Sequence, residues 1–279
     1  MDQRRMCPHC RAFITNRDRI CPYCHEKVGP RAVERREPGE IIGGFIPHAR
    51  FVTMLILIIN AGLYLATVVF SQRAGNGSAI MSIDGQTLLE FGAKFRAAIL
   101  QYGQWWRLVT AGFLHGGLLH IGMNSWVLFD VGAQVEEAYG GARLVVFYFV
   151  ATVLGFLAST FWTAGLSVGA SAGIMGLIGA MIALGVRHQQ SSMGVAIRGM
   201  YIRWAVYILI LGVLPGLHID NAAHIGGLAG GFATAYVAGT PRISAAWSER
   251  FWQGAAALCV LVTAGCFLMM YLWFATTAQ

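Results

Sequence analysis

The sequence predicts an all-α polytopic membrane protein preceded by a small metal-binding module. Three observations carry that reading. Hydrophobic residues make up 56% of the 279-residue chain against 12% charged, seven apolar segments recur along it, and two C-x-x-C pairs open it. Such a composition is too apolar for an ordinary soluble domain. The formal charge of +7 would point to nucleic acid in a soluble protein. Here the basic residues cluster beside the apolar segments, as the positive-inside bias predicts, and no nucleic-acid partner is expected.

The N-terminal module comes first. Cys7 and Cys10 stand in "CPHC", Cys21 and Cys24 in "CPYC", with ten residues between the pairs. Two tight turns can each present a pair of thiolates to one tetrahedral zinc, whose binding energy holds together a segment too small for its own core. The connecting segment "RAFITNRDRI" is expected to supply a short hairpin, so residues 1–28 read as a zinc ribbon. The alternative, a redox pair or disulfides, is disfavoured on a cytoplasmic side, where thiols stay reduced. The knuckle glycine usual after each pair is replaced by Arg11 and His25. Residues 29–48, with Pro30, Pro38 and Pro47, read as a linker.

The apolar segments lie at about 51–70, 116–135, 143–164, 170–187, 201–215, 222–239 and 252–275. The first, "FVTMLILIINAGLYLATVVF", has no charge over the ~20 residues that a helix needs to cross the hydrocarbon core. The chain opens with "MDQRRMCPHCRAF" and not with a short apolar run, so the first span is expected to insert directly. The basic segments 31–36, Arg143, 187–203 and 241–250 all fall on one side only if the N-terminus is cytoplasmic and the C-terminus is not. Between the first two spans, "QWWRLVTAGFLH" places Trp105, Trp106 and Arg107 together, which suits a segment lying in the membrane interface. Cys259 and Cys266 fall in the last span as lipid-facing or packing residues.

A membrane interior penalises polar groups, so those within spans are candidates for function. Ser171 lies at the start of span four, His224 at the start of span six, and His120 with Asn124 in the first turns of span two. In the proposed topology these three spans run from outside to inside, so their starts share one depth just below the outer surface. A histidine there can take the hydroxyl proton as general base, and the serine oxygen can attack a carbonyl. The helix N-terminus at Ser171 offers backbone N–H groups to the resulting oxyanion, and His120 and Asn124, spaced i and i+4, add side-chain donors. Two stripes of small residues, Ala172, Gly176, Gly179, Ala183 and Gly227, Gly231, Ala235 below His224, let spans four and six approach closely. A lone serine in a glycine-rich span is usually a packing residue. The conjunction of four polar groups at one depth favours catalysis. Glu136 reads as a structural bond at the cytoplasmic end of span two, and Asp130 has no assigned role. A transporter or channel would want broken helices and charges lining a path, for which Asp130 alone is thin support.

At these residues the chain resembles the rhomboid family of intramembrane serine proteases. "GASAG" (Gly169 to Gly173) is similar to the family's serine motif, "HIGMN" (His120 to Asn124) to its H-x-x-x-N motif, and "AHIGGLAGG" (Ala223 to Gly231) to its A-H-x-x-G-x-x-x-G motif; Trp106 and Arg107 match its first-loop signature. The resemblance spans about residues 45–240. It implies a six-helix core at 49–240 with one more C-terminal transmembrane helix at 241–279. It also implies a serine-type endopeptidase with a Ser171–His224 dyad lacking a carboxylate, and oxyanion stabilisation by His120, Asn124 and the Ser171 backbone. No catalytic cofactor is implied. Expected substrates are single-span membrane proteins in the lipid bilayer, cut within or near the span by a site open to the outer face of a bacterial plasma membrane. Helix-breaking residues are expected in them, since a helix keeps its carbonyls in its own hydrogen bonds. Two residues depart from the pattern. Ala172 follows the serine where glycine is more frequent, and Met175 replaces a ring that packs against the histidine; altered histidine positioning is implied, not lost activity. A non-enzymatic binder on the same fold is the alternative, but such relatives typically lack the serine or the histidine. The ribbon's role is left open between recruiting a cytoplasmic protein partner and placing substrates.

Overall fold

In the computed structural model the described residues are 4–7, 9–10, 12–15, 18–28, 50–214, 219–239 and 246–277. The linker read at 29–48, Arg11, and residues 241–245 of the last basic segment lie outside them. The chain divides into two units, Met1–His48 and Ala49–Gln279.

The first unit is a small ribbon. Strand β1 (Arg4–Met6) pairs antiparallel with β2 (Phe13–Thr15), and Met6 faces Phe13 across the pair. Just inside that pair, Cys7 N–H donates to Ala12 O at 2.8 Å; the second cysteine pair repeats the geometry, with Cys21 N–H on Glu26 O at 2.9 Å inside an Ile20–Lys27 bridge. Each C-x-x-C therefore sits at the tip of its own turn. The segment between the pairs contributes only β2 to the hairpin, because the bond that closes each turn aligns the residues flanking that turn. His25 takes φ +58°, the left-handed conformation for which glycine is the usual residue.

The second unit is a helical bundle. Its long helices are α1 (Phe51–Arg73), α5 (Leu118–Tyr139), α6 (Gly141–Trp162), α7 (Ser171–Arg187), α8 (Ser192–Leu211), α9 (Asn221–Ala238) and α10 (Ala246–Thr277). Helices α1, α6, α8 and α10 are each long and apolar enough to cross a membrane. The predicted spans fall on these helices within a few residues, except that α8 starts at Ser192 and not near 201. Ser191 accepts the Gly194 N–H at 3.0 Å and so caps a helix that begins well before the apolar run at 201, ahead of Arg198.

Helix α7 is the hub. Residues Ala172 to Met181 are buried without interruption, the mark of a helix surrounded on all sides. Its contact with α9 leaves no room for side chains. A Cβ on Gly231 would stand 2.0 Å from Gly176 O, one on Gly227 2.2 Å from Ala172 O, and one on Gly179 2.3 Å from Leu228 O. The two predicted stripes thus meet backbone to backbone, the geometry that small residues permit in membranes. Glu136 makes the structural bond expected of it: its carboxylate accepts the Val52 and Thr53 N–H groups and the Thr53 hydroxyl at 2.8–2.9 Å. That places an anion on the N-terminus of α1, which has no cap of its own.

Between α1 and α5 the chain forms a folded loop with short helices α2 (Gly85–Glu90), α3 (Arg96–Leu100) and α4 (Arg107–Thr110). Arg107 is buried and donates to Leu89 O, Ala93 O and Gln104 Oε1 at 2.6–2.9 Å, with its guanidinium over the rings of Trp106 and Trp273. The interfacial reading therefore suits exposed Trp105 but not Trp106 and Arg107, which are interior residues of this loop. Helix α10 lies along α6 and α4, joined by the bidentate Arg143–Glu249 pair and by Phe113–Phe267 and Phe147–Trp252 ring contacts. Cys259 and Cys266 pack against the main core.

Candidate active site

Ser171 is the first residue of α7, a helix of 17 residues. At 1.5 Å per residue that is about 25 Å, short of the ~30 Å hydrocarbon thickness. The first-turn N–H groups of such a helix have no intrahelical acceptors and carry the positive end of its dipole. The approach to Ser171 is fixed on both sides. Ser167 exchanges two backbone hydrogen bonds of 3.0 Å with Lys94, and Gly169 N–H donates to Ala111 O at 2.9 Å. Gly169 then turns the chain into the helix at φ +137°, which a side chain would strain.

The same glycine brings two polar groups together. A carbon placed at its Cβ position would crowd His120 Nε2 at 2.8 Å and lie 3.4 Å from Ser171 Oγ, so the imidazole and the hydroxyl both close in on the bare face of Gly169. Gly116 N–H donates to His120 Nδ1 at 3.3 Å. A neutral ring bonded in this way carries its proton on Nε2, the nitrogen facing Gly169. Asn124 Nδ2, one turn further along α5, is buried with no hydrogen-bond partner and so has donors to offer.

His224 lies in the first turn of α9 and is 4% exposed; its Nδ1 is buried without a hydrogen-bond partner among the described residues. Its helix meets the start of α7 through the neighbours of the two residues. Ala172 and Ala223 share one buried cluster, and a Cβ on Gly155 would touch both Ala172 Cβ (2.9 Å) and Ala223 O (2.6 Å). His224 also interacts electrostatically with Asp220 and His120. Among the described residues no hydrogen bond joins Ser171 to His224. Met175 lies fully buried in the main core. His115 escaped the sequence reading. It is fully buried, and its ring packs edge-on against His120 with centroids 5.2 Å apart. The signal was present in "GFLHGGLLH", where a second histidine precedes His120 by five residues.

In the ribbon, the Sγ atoms of Cys7, Cys10, Cys21 and Cys24 lie within 4.8 Å of one another, with Cys7–Cys24 at 3.7 Å and Cys10–Cys21 at 3.6 Å. Four sulfurs bonded tetrahedrally to zinc at ~2.3 Å would be about 3.8 Å apart, so this set fits one metal ion. The backbone N–H groups of Cys10 and then His9, directed at the Cys7 sulfur, help to draw that thiol down to about 6 against the opposing effect of burial.

Comparison with known proteins agrees with this architecture. The Rhomboid domain family matches residues 102–241, half of the chain. The chain belongs to the rhomboid family. It is 37% identical to Rhomboid protease GluP of Bacillus subtilis (strain 168) over 171 residues, covering 59% of this chain and 32% of that protein. It is 30% identical to RHOMBOID-like protein 4 of Arabidopsis thaliana over 185 residues (60% and 43%) and 29% identical to Rhomboid-like protease 1 of Toxoplasma gondii over 250 residues (86% and 82%). The match thus spans about a third of GluP and under half of RHOMBOID-like protein 4.

Proposed function

We propose that the protein is an intramembrane serine endopeptidase that cleaves single-span membrane proteins within or near their transmembrane segment. The observation that carries this reading is the convergence of His120 Nε2 and Ser171 Oγ on the bare face of Gly169 at the N-terminus of α7. Similarity to proteins named rhomboid proteases supports it.

In the proposed reaction His224 accepts the Ser171 hydroxyl proton as Oγ bonds to the scissile carbonyl carbon. The carbonyl oxygen becomes an oxyanion held by His120 Nε2–H, Asn124 Nδ2–H and the first amides of α7. Collapse breaks the C–N bond, and the leaving amine takes the proton from His224. A water then attacks the acyl ester by the reverse roles and frees Ser171. The short α7 leaves the serine below the membrane surface, so water must reach it from the aqueous face next to the start of α7.

The proposed setting is a bacterial plasma membrane, with the N-terminus cytoplasmic and the site open to the outer side, as the basic segments indicate. The proposed division is a ribbon at 1–28, a linker at 29–48, the protease core at 49–240 and a last helix at 241–279. Cys7, Cys10, Cys21 and Cys24 would hold one structural zinc, which supplies folding energy to the ribbon and takes no part in cleavage. The ribbon's proposed role is to recruit a cytoplasmic protein or to place substrates. The decisive experiment measures cleavage of a reporter single-span substrate and fluorophosphonate labelling in proteoliposomes for wild type, Ser171→Ala and His224→Ala. Loss of both signals in both variants is expected; cleavage by Ser171→Ala at the wild-type rate overturns the reading.

A further inference from the structure

Lys94 is the least expected residue in the molecule: a lysine in the first loop whose exposure is 0%. A buried ammonium is tolerated only when its hydrogens and its charge are both answered. Its three hydrogens go to Thr163 O (2.8 Å), Thr163 Oγ1 (2.7 Å) and Gly165 O (3.2 Å), at the exit of α6. Arg96 adds bonds to Thr160 O and Phe161 O. Two cations thus sit on the carbonyl end of α6, where the helix dipole is negative.

The opposite charge is reached through hydroxyls. Thr163 Oγ1 lies 3.1 Å from Ser159 Oγ, and Ser159 Oγ–H donates to Asp220 Oδ2. Asp220 Oδ1 accepts Ala223 N–H at 3.0 Å, and Asp220 O accepts His224 N–H at 3.1 Å, so this aspartate is the N-cap of the histidine's helix. At the other end, the Lys94 backbone is the one paired with Ser167, four residues before Ser171. Ser159 gives its one hydroxyl hydrogen to Asp220, so the Thr163 hydroxyl is the donor towards Ser159 and shares its hydrogen between Ser159 Oγ and Ser159 O at 3.2 Å; the line starts beside the serine's segment and ends at the cap of the histidine's helix.

We propose that Lys94 and Asp220 are positioning residues: a hydroxyl-bridged ion pair, Lys94–Thr163–Ser159–Asp220, sets the histidine's helix against the segment that delivers the serine. The proposal rests on the Ser171–His224 reading above. Neither residue touches the scissile bond. The first loop is thereby a clamp on the reacting pair, in addition to being a surface element.

The test uses the full chain in proteoliposomes, with kcat and KM for a reporter single-span substrate, the fluorophosphonate labelling rate and the thermal midpoint. Asp220→Asn keeps the helix cap, since Asn and Asp cap equally well, but removes the charge. It is expected to lower kcat and the labelling rate about tenfold or more, the order that a misplacement near 1 Å produces, with KM within about twofold and the midpoint within a few degrees. Ser159→Ala, which removes only the bridge, should fall in the same direction. Lys94→Met combined with Asp220→Asn should be no slower than the worse single variant, because each single change already breaks the pair. Wild-type kcat in Asp220→Asn and Ser159→Ala, losses that merely follow loss of folded protein, or multiplying effects in the double variant each overturn the proposal. Ser171→Ala is run beside them: if it is inactive while Asp220→Asn matches wild type, only the positioning role fails, whereas an active Ser171→Ala defeats the dyad itself.

Discussion

Gly169 shows how a single residue can be required twice. Its φ of +137° forms the turn into α7, and its missing side chain lets His120 and Ser171 close in on the same point. Gly169→Ala should therefore cost about 1–3 kcal/mol in backbone strain and also push a methyl against His120. We expect fluorophosphonate labelling to drop at least about tenfold, while Gly62→Ala in α1, with open space around it, labels as wild type does. Glu136 offers a purely structural comparison. Glu136→Gln keeps the side chain but removes the anion from the α1 N-terminus, which should lower stability by about 1 kcal/mol in a detergent melt without changing the labelling rate of the folded fraction. The sequence made Ser171, His224, His120 and Asn124 conspicuous because hydroxyl, imidazole and amide groups are costly in an apolar span. Lys94, His115 and Asp220 stand in or beside loops, where polarity is ordinary, and only the fold reveals that Lys94 and His115 are buried.

Helices α7 and α9 were legible as spans and as partners from their small residues, since such stripes have few other uses in a membrane helix. Hydropathy alone recovers less. α7 is only 17 residues long, and α8 begins at a serine cap well before its predicted span. The contact makes a sharp prediction. Gly231→Ala would bring a methyl to 2.0 Å from Gly176 O, so the helices must part; we expect about 2–3 kcal/mol of destabilisation and a slower labelling rate in the same protein. Gly254→Ala in α10, where nothing lies within 4 Å, should instead be neutral or stabilising by up to about 1 kcal/mol, because glycine is a poor helix residue. The first loop was the least legible element. Its short helices carry no periodic apolar face, and its order comes from bonds made by Arg107, Arg96 and Lys94 to carbonyls distant in sequence.

Across the whole chain, the two units depend on different sources of stability. The bundle buries a large apolar core, whereas the ribbon's buried cluster consists of Cys7, Ile14, Cys21 and Val28. So few apolar residues among those described offset little of the entropy of ordering the segment, and the proposed metal would supply the rest. Elemental analysis of the purified protein should find about one zinc per chain, and a preparation without zinc refutes the assignment. Stripping the proposed metal should unfold the ribbon, seen as lost amide protection in residues 4–28, while the cleavage proposed for the bundle continues, because none of the four cysteines is among the proposed reacting residues. The cysteine pairs and the apolar runs themselves were plain from the sequence, since C-x-x-C spacing and apolar runs are among the strongest patterns a chain can carry.

The contact of Gly231 with the Gly176 carbonyl has one more consequence. Where two helices are separated by side chains, their spacing can drift as rotamers exchange or voids collapse. Here main chain rests on main chain, and there is nothing between to compress. Hydrostatic pressure, which acts by eliminating internal voids, should thus leave the rate of serine labelling nearly constant until the bundle as a whole gives way.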